Sequence, residues 1–150
     1  MTDNSPIDQF KSVLTGTARA IARDAELEVN WTADAPVATG NVLRVPMPGR
    51  SLPKAQAAEA RGFADSFALK LRHHNEALHS RNAPSEPVAR ACYDAVEQVR
   101  WEALGANDYA GMRGNLDAAM KLRMSSDPIP LATSSDQVPI HKALALMLHD

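Results

Sequence analysis

The sequence has a single cysteine, no excess of basic residues and no long apolar run, and each absence excludes a class of protein. One thiol cannot form an internal disulfide, and no charged segment followed by an apolar run opens the chain, so we expect a cytoplasmic protein. A formal net charge of −2 offers no cationic surface for nucleic acid or for an anionic membrane, and neither partner is predicted. No apolar run approaches the roughly 18 residues of a membrane span.

The short motifs of common active sites are also missing. There is no G-x-x-x-x-G-K-[ST] phosphate loop and no G-x-G-x-x-G after a strand, so these residues alone should bind neither ATP nor a dinucleotide. H-E-x-x-H, C-x-x-C, G-x-S-x-G and D-x-S-x-S are absent as well. We therefore predict no catalytic residue and no cofactor here, and Cys92 is expected to act as a small buried hydrophobe.

The sequence contains instead the pattern of one mainly helical domain. Ser5 and Pro6 predict the start of a first helix that ends near Asp24. Apolar alternation in residues 27–31 and β-favouring residues in 42–45 predict two short strands, joined by a loose loop into an antiparallel hairpin. The predicted fold is mainly α (α+β), with five to six helices and this small hairpin after the first helix.

Two longer amphipathic helices within residues 61–102 are expected to form the core by packing against each other. Ser51 and Ser85 are the predicted caps of these helices, and Gly105 is the predicted end of the second. The apolar stripes recur at three- and four-residue steps and comprise Ala60, Phe63/Ala64, Phe67 and Leu71 in the first helix, and Val88, Ala91/Cys92, Ala95/Val96, Val99 and Ala103 in the second.

The end of the sequence predicts two further helices separated by a loop at 125–137. The first follows a possible Asn115 cap, and the second places Ile140, Ala143/Leu144 and Met147/Leu148 on one side. No glycine, asparagine or proline ends this last pattern. We therefore expect residues 1–150 to be a single amino-terminal domain from a longer subunit.

Three of the five histidines, His73, His74 and His79, lie within seven residues. Imidazole is a common ligand of zinc, cobalt and nickel, so a metal site is possible if the helix breaks near Asn75, with His74 and His79 joined by His73 or by an acid such as Glu76. The spacing favours the alternative that the histidines have a structural role at the carboxyl end of a helix. Adjacent residues on a helix point about 100° apart, and histidines at a helix carboxyl end interact favourably with its dipole.

Three other residues, Arg61, Asp65 and Trp101, are candidates for interaction with a partner. Asp65, four residues after Arg61, is expected to form a helix-surface ion pair or to link its helix to a neighbouring element. Trp101 either packs under another element, which we favour, or contributes to a docking patch. The charged run that contains Glu97 and Glu102 is expected to be a solvated helix face.

Many of these residues, taken in order, resemble a known family. The matching segments are 10–11, 27–29, 61–66, 68–69, Leu71, His74, His79, 83–84, 94–98, Arg100, 102–103, 105–106, Gly111 and 115–116. Together they resemble the amino-terminal region of CobT-type subunits of the aerobic, ATP-dependent cobaltochelatase. The similarity covers nearly the whole chain.

This resemblance implies a role in cobalamin biosynthesis. The family's complex inserts cobalt(II) into hydrogenobyrinic acid a,c-diamide and uses ATP and magnesium. A large subunit binds the corrin, and a AAA+ subunit hydrolyses ATP and assembles with the CobT-type subunit. An acidic linker and an integrin-like domain follow this region in full-length members. We therefore expect an assembly domain that binds the AAA+ or the large subunit, and a homo-oligomer is the further candidate. The alternatives are a histidine-based cobalt-handling module and a catalytically inactive scaffold.

Overall fold

The computed structural model describes residues 5–125, 133–134, 136 and 138–149. Most of the predicted loop at 125–137 lies outside these residues. The described part of the chain forms six helices and three strands, in the order α1 (Pro6–Ala22), β1 (Glu28–Thr32), β2 (Val37–Thr39), β3 (Val42–Pro46), α2 (Lys54–His73), α3 (Glu76–Arg81), α4 (Pro87–Asp108), α5 (Met112–Ser125) and α6 (Ile140–His149). The predicted α+β class, mainly helical with a small sheet after the first helix, is confirmed.

Helix α1 begins and ends close to where the sequence predicts. The Ser5 hydroxyl accepts a 3.3 Å hydrogen bond from the Asp8 amide, and Pro6 occupies the first turn. Arg23, with a left-handed φ of 56°, ends the helix. The predicted stripe faces the core, where Leu14 and Ile21 are buried, because these side chains project from one side of the helix.

The strand pairing differs from the predicted antiparallel hairpin of residues 27–31 and 42–45. The sheet has the order β1-β3-β2, and β1 pairs with β3 in parallel. The antiparallel hairpin is β2–β3, closed by Gly40 at a positive φ of 59° in a two-residue loop. The prediction was wrong because the segment read as a loop contains a three-residue strand, too short for a clear alternation. Leu43 and Val45 of the central strand are fully buried.

Helix α2 is the central element of the domain and contacts α1, α4, α5 and β3. Its buried residues extend beyond the predicted stripe to Asp65, Ser66 and Leu69 because neighbours cover several of its faces. The predicted Ser51 cap is wrong. The cap position is Pro53, which makes no side-chain capping bond.

Helix α4 departs from the sequence prediction at both ends. Glu86, not Ser85, caps it by accepting hydrogen bonds from the Val88 and Ala89 amides at 3.1 and 2.7 Å. Gly105 does not end the helix, which continues to Asp108. An added Cβ at Gly105 would overlap Leu69, so this glycine permits close packing of α4 on α2.

The face of α4 that packs inward is not the predicted apolar stripe. Its buried residues are Trp101, Glu102 and Gly105, whereas Val88 and Val96 are exposed. Part of the stripe lies towards α6, with which α4 is in contact. The predicted pairing of α2 with α4 is present, but α5 and α1 also cover α2 and supply much of the core.

Helices α5 and α6 are the last two elements of the fold. Asn115 lies inside α5 rather than at its start, so its predicted capping role is wrong. His149 Nε2 lies 2.7 Å from Asp117 Oδ1 and links the end of α6 to α5. The predicted apolar side of α6 faces away from the core and leaves Ile140 and Met147 exposed. Within the described ranges, no helix combines the length and apolar character that crossing a bilayer requires.

Candidate functional site

Two of the three clustered histidines meet a glutamate where α2, α3 and α4 come together. His74 follows the last residue of α2, and Asn75 begins α3 by accepting a 3.0 Å hydrogen bond from the Leu78 amide. This break, which the sequence suggested only as the condition for a metal site, turns His79 back towards His74. One potential ligand atom from each of His74, His79 and Glu97 lies within 4.8 Å of the other two. We call these three residues the histidine–glutamate cluster.

Carboxylates surround both imidazole rings. His74 Nδ1 lies 3.0 Å from Glu97 Oε1, and its Nε2 lies 2.8 Å from Glu76 Oε2. His79 Nε2 lies 2.7 Å from Asp94 Oδ1. Each ring nitrogen in these pairs therefore has a polar partner, and the two histidines connect α4 to the end of α2 and to α3.

Aromatic packing fixes the orientation of the two rings. The His74 ring meets the Trp101 ring edge-on, with centroids 5.5 Å apart, and the His79 ring stacks on Tyr93 at 4.2 Å. The Tyr93 hydroxyl also donates a 2.9 Å hydrogen bond to the His79 carbonyl oxygen. The side chains of both histidines are mostly buried, so their positions are defined by packing as well as by hydrogen bonds.

Arg100 keeps Glu97 ionised. Its Nη2 and Nε donate to the two carboxylate oxygens at 2.6 and 2.8 Å. The Arg100 hydrogen bonds lower the pKa of Glu97 to about 2, with help from His74 and against the opposing effect of burial. Arg100 Nη2 also donates to the His73 carbonyl oxygen at 2.8 Å. The cluster therefore contains a carboxylate that is charged at neutral pH.

Glu97, rather than His73, is the third residue of the histidine–glutamate cluster. The His73 ring is outside the cluster, and burial and the nearby Arg72 and Arg100 lower its pKa. Glu97 was expected on a solvated helix face, and that prediction was wrong because α4 turns this residue towards the end of α2. The sequence contains no local signal for the contact, since 23 residues separate His74 from Glu97.

Asp65 links α2 to α5 inside the domain. Asn115 Nδ2 donates a 3.2 Å hydrogen bond to its Oδ2. Burial raises the pKa of Asp65 to about 6, although the Asn115 hydrogen bond and the charge of Arg61 act in the opposite direction. Arg61 is half-buried and lines an open cleft with Asp65, between α1, α2 and the start of α5. The interpretation of Asp65 as a link to a neighbouring element fits this contact.

Trp101 is buried, which confirms that it packs under another element. Its Nε1 donates a 3.3 Å hydrogen bond to Ser66 Oγ on α2, and Lys70 Nζ lies 5.5 Å from the ring centre. The alternative of an exposed docking residue is wrong for Trp101 in this domain. The next residue, Glu102, is also buried rather than solvated and lies 3.6 Å from Arg123 Nη1.

Comparison with known proteins identifies one family. The family model described as "Cobalamin biosynthesis protein CobT" matches residues 4–150, which include every helix and strand above. The match confirms the resemblance drawn from the sequence. No solved structure matches this one.

Proposed function

Since the chain belongs to the CobT family of cobalamin biosynthesis proteins, we propose that it is an assembly domain of the aerobic cobaltochelatase. In this proposal it supports the ATP-dependent insertion of cobalt(II) into hydrogenobyrinic acid a,c-diamide by binding the AAA+ subunit. Family membership carries the cobalamin part of the proposal. The lack of a phosphate-binding loop supports a binding role rather than ATP hydrolysis by this domain.

The surface that best supports protein binding is the outer side of α6. Ile140 and Met147 are 61% and 76% exposed, and we call these two residues the α6 face. The opposite side of the helix lies against α4, over a cavity of about 610 Å³ between α4, α5 and α6. Clustered exposed apolar side chains commonly mark protein contacts, and a subunit of the same complex would remove them from water.

The proposal commits to the AAA+ subunit as the partner of the α6 face. An apolar surface of this kind suits burial against another protein, because it offers neither charge nor hydrogen-bond donors to a nucleotide or to a corrin carboxylate. Residues packed near the centre of an interface are also those whose truncation costs most affinity. Ile140 and Met147 are therefore the residues to change.

The test is retention of the chain by immobilised AAA+ subunit, with and without ATP. We expect the double variant Ile140→Ser/Met147→Ser to be retained at least tenfold less than the wild-type chain, which corresponds to about 1.4 kcal/mol. Val13→Ser is the matched control, because Val13 is 58% exposed on α1, away from α6. Equal retention of both variants and the wild type would refute the α6 face as the contact.

A second measurement tests the assembly role without reference to a particular surface. Residues 1–150 are deleted from the chelatase subunit, and both the subunit composition of the complex and its cobalt insertion rate are measured. The proposal predicts loss of the subunit from the complex and a matching loss of rate. An unchanged composition together with an unchanged rate would contradict it.

A further inference from the structure

We propose that the histidine–glutamate cluster binds one divalent first-row transition ion, such as Co(II) or Zn(II), through His74, His79 and Glu97. This inference goes beyond the assembly role, because a domain that only holds subunits together needs no ligand set. It rests on the convergence of three donor groups from three segments of the chain. Two imidazoles and one carboxylate suit these ions, whereas magnesium and calcium prefer oxygen ligands alone.

The separations between the ligand atoms of the cluster are close to those between ligand atoms around a bound ion. Ligand atoms about 2.1 Å from a tetrahedral ion lie roughly 3.4 Å from one another. His74 Nδ1 and Glu97 Oε1 are already 3.0 Å apart. All three ligand atoms lie within 4.8 Å of each other, so no pair exceeds the separation around a tetrahedral ion by more than about 1.4 Å.

The neighbouring carboxylates have the arrangement that usually supports metal-bound histidines. A ligating imidazole commonly donates its other N–H to a carboxylate, which fixes the ring orientation. Glu76 occupies that position beside His74 Nε2, which leaves Nδ1 facing Glu97. Asp94 Oδ1 lies 2.7 Å from His79 Nε2, which leaves Nδ1 as the ring nitrogen available to an ion. Both supporting carboxylates are therefore in place around the proposed ligands.

Arg100 can remain bound when Glu97 takes an ion. Its Nε donates to Glu97 Oε2 at 2.8 Å, while the oxygen nearest His74 is Oε1. Arg100 Nη2, which donates to Oε1, also donates to the His73 carbonyl oxygen. An ion at Oε1 therefore replaces one of two bonds made by Nη2 and leaves the other contacts of Arg100 intact.

Isothermal titration of the 150-residue chain with Zn(II), together with the visible absorption of added Co(II), tests the site. We expect one ion per chain, and a loss of affinity of more than about tenfold in both His79→Ala and Glu97→Gln, since even supporting residues of metal sites act on this scale. Glu97→Gln keeps the size of the side chain and one of its two acceptor oxygens. It therefore remains informative if His79→Ala folds poorly, and circular dichroism checks both variants.

His149→Gln is the matched control. His149 also pairs with a carboxylate at 2.7 Å, on Asp117, but within the described ranges it belongs to no group of three ligands. Its affinity should equal that of the wild-type chain. Absence of binding in the wild type, or equal binding by all variants, would overturn the site and leave a hydrogen-bonded histidine network. The titration contains no other subunit, so its outcome is independent of the assembly proposal.

Discussion

Asn115 Nδ2 donates a 3.2 Å hydrogen bond to Asp65 Oδ2, and this bond joins α5 to α2 at a buried carboxyl group. A single neutral donor offsets only part of the cost of removing a carboxylate from water. Burial accordingly raises the pKa of Asp65 to about 6, from an ordinary value of 3.8. The carboxyl group therefore makes a pH-dependent contribution to the stability of the fold.

Asp65→Asn should stabilise the domain at neutral pH. Because the folded-state pKa is raised, the folded state binds more protons than the unfolded state between pH 3.8 and about 6, so this group's contribution to stability falls as pH rises through that window. The shift of about two units corresponds to roughly 3 kcal/mol. The stability of Asp65→Asn relative to wild type should therefore increase by up to that amount between pH 4 and pH 7, as measured by urea unfolding. A difference independent of pH would contradict the assignment.

Gly62→Ala should destabilise the domain. A Cβ at this position would overlap the Asn115 carbonyl oxygen and would lie 2.8 Å from Ala119 Cβ, so α5 would have to move away from α2. We expect a loss of about 2–3 kcal/mol in the free energy of unfolding. Gly16→Ala on α1 is the control, because no neighbouring atom lies within 4 Å of the added Cβ, and it should gain about 0.5–1 kcal/mol. Effects of the same sign would show that α2 and α5 are not in this close contact.

Ser66→Ala should weaken the contact between α2 and α4. The variant removes the acceptor of the Trp101 Nε1 hydrogen bond and leaves a buried N–H without it. We expect a loss of about 1–3 kcal/mol, as is usual for an unsatisfied buried donor. In a double-mutant cycle with Trp101→Phe, which has no N–H, Ser66→Ala should cost less than it does in the wild-type background. An equal cost in both backgrounds would show that the hydrogen bond is absent.

Substitutions at Ser85 and Glu86 test which of these two neighbouring residues caps α4. Glu86→Ala should lower the urea midpoint of the domain, because the Val88 and Ala89 amides lose their acceptor, whereas Ser85→Ala should leave the midpoint unchanged. These amide hydrogen bonds lower the pKa of Glu86, so its capping contribution is present near neutral pH and is lost as acid protonates the carboxylate. A loss seen for Ser85→Ala instead would restore the cap expected from the sequence.

The sequence predicted those features that depend on local patterns. Ser5 and Pro6 located the start of α1, and apolar spacing located the buried residues of α1 and of the middle of α2. The sequence suggested the break at Asn75 only as a condition for a metal site and did not predict α3, although asparagine is a common cap at the start of a helix.

Features that depend on tertiary packing were not predictable in the same way. Gly105 carries the local signal of a helix end, yet its missing side chain serves the contact with Leu69. β3 runs parallel to β1 because the three-residue strand β2 reverses the chain between them, and so short a strand has no clear period in the sequence. Glu97 joins the histidines only because α4 packs beside the end of α2, so a local pattern could suggest His74 and His79 but not their third partner.

The central claim is that this domain assembles with the AAA+ subunit of the chelatase. The most direct measurement is size-exclusion chromatography with light scattering on a mixture of the chain and that subunit, with and without ATP. The account predicts a species whose mass contains both proteins under at least one nucleotide condition. Elution of the two proteins as separate species under both conditions would contradict it.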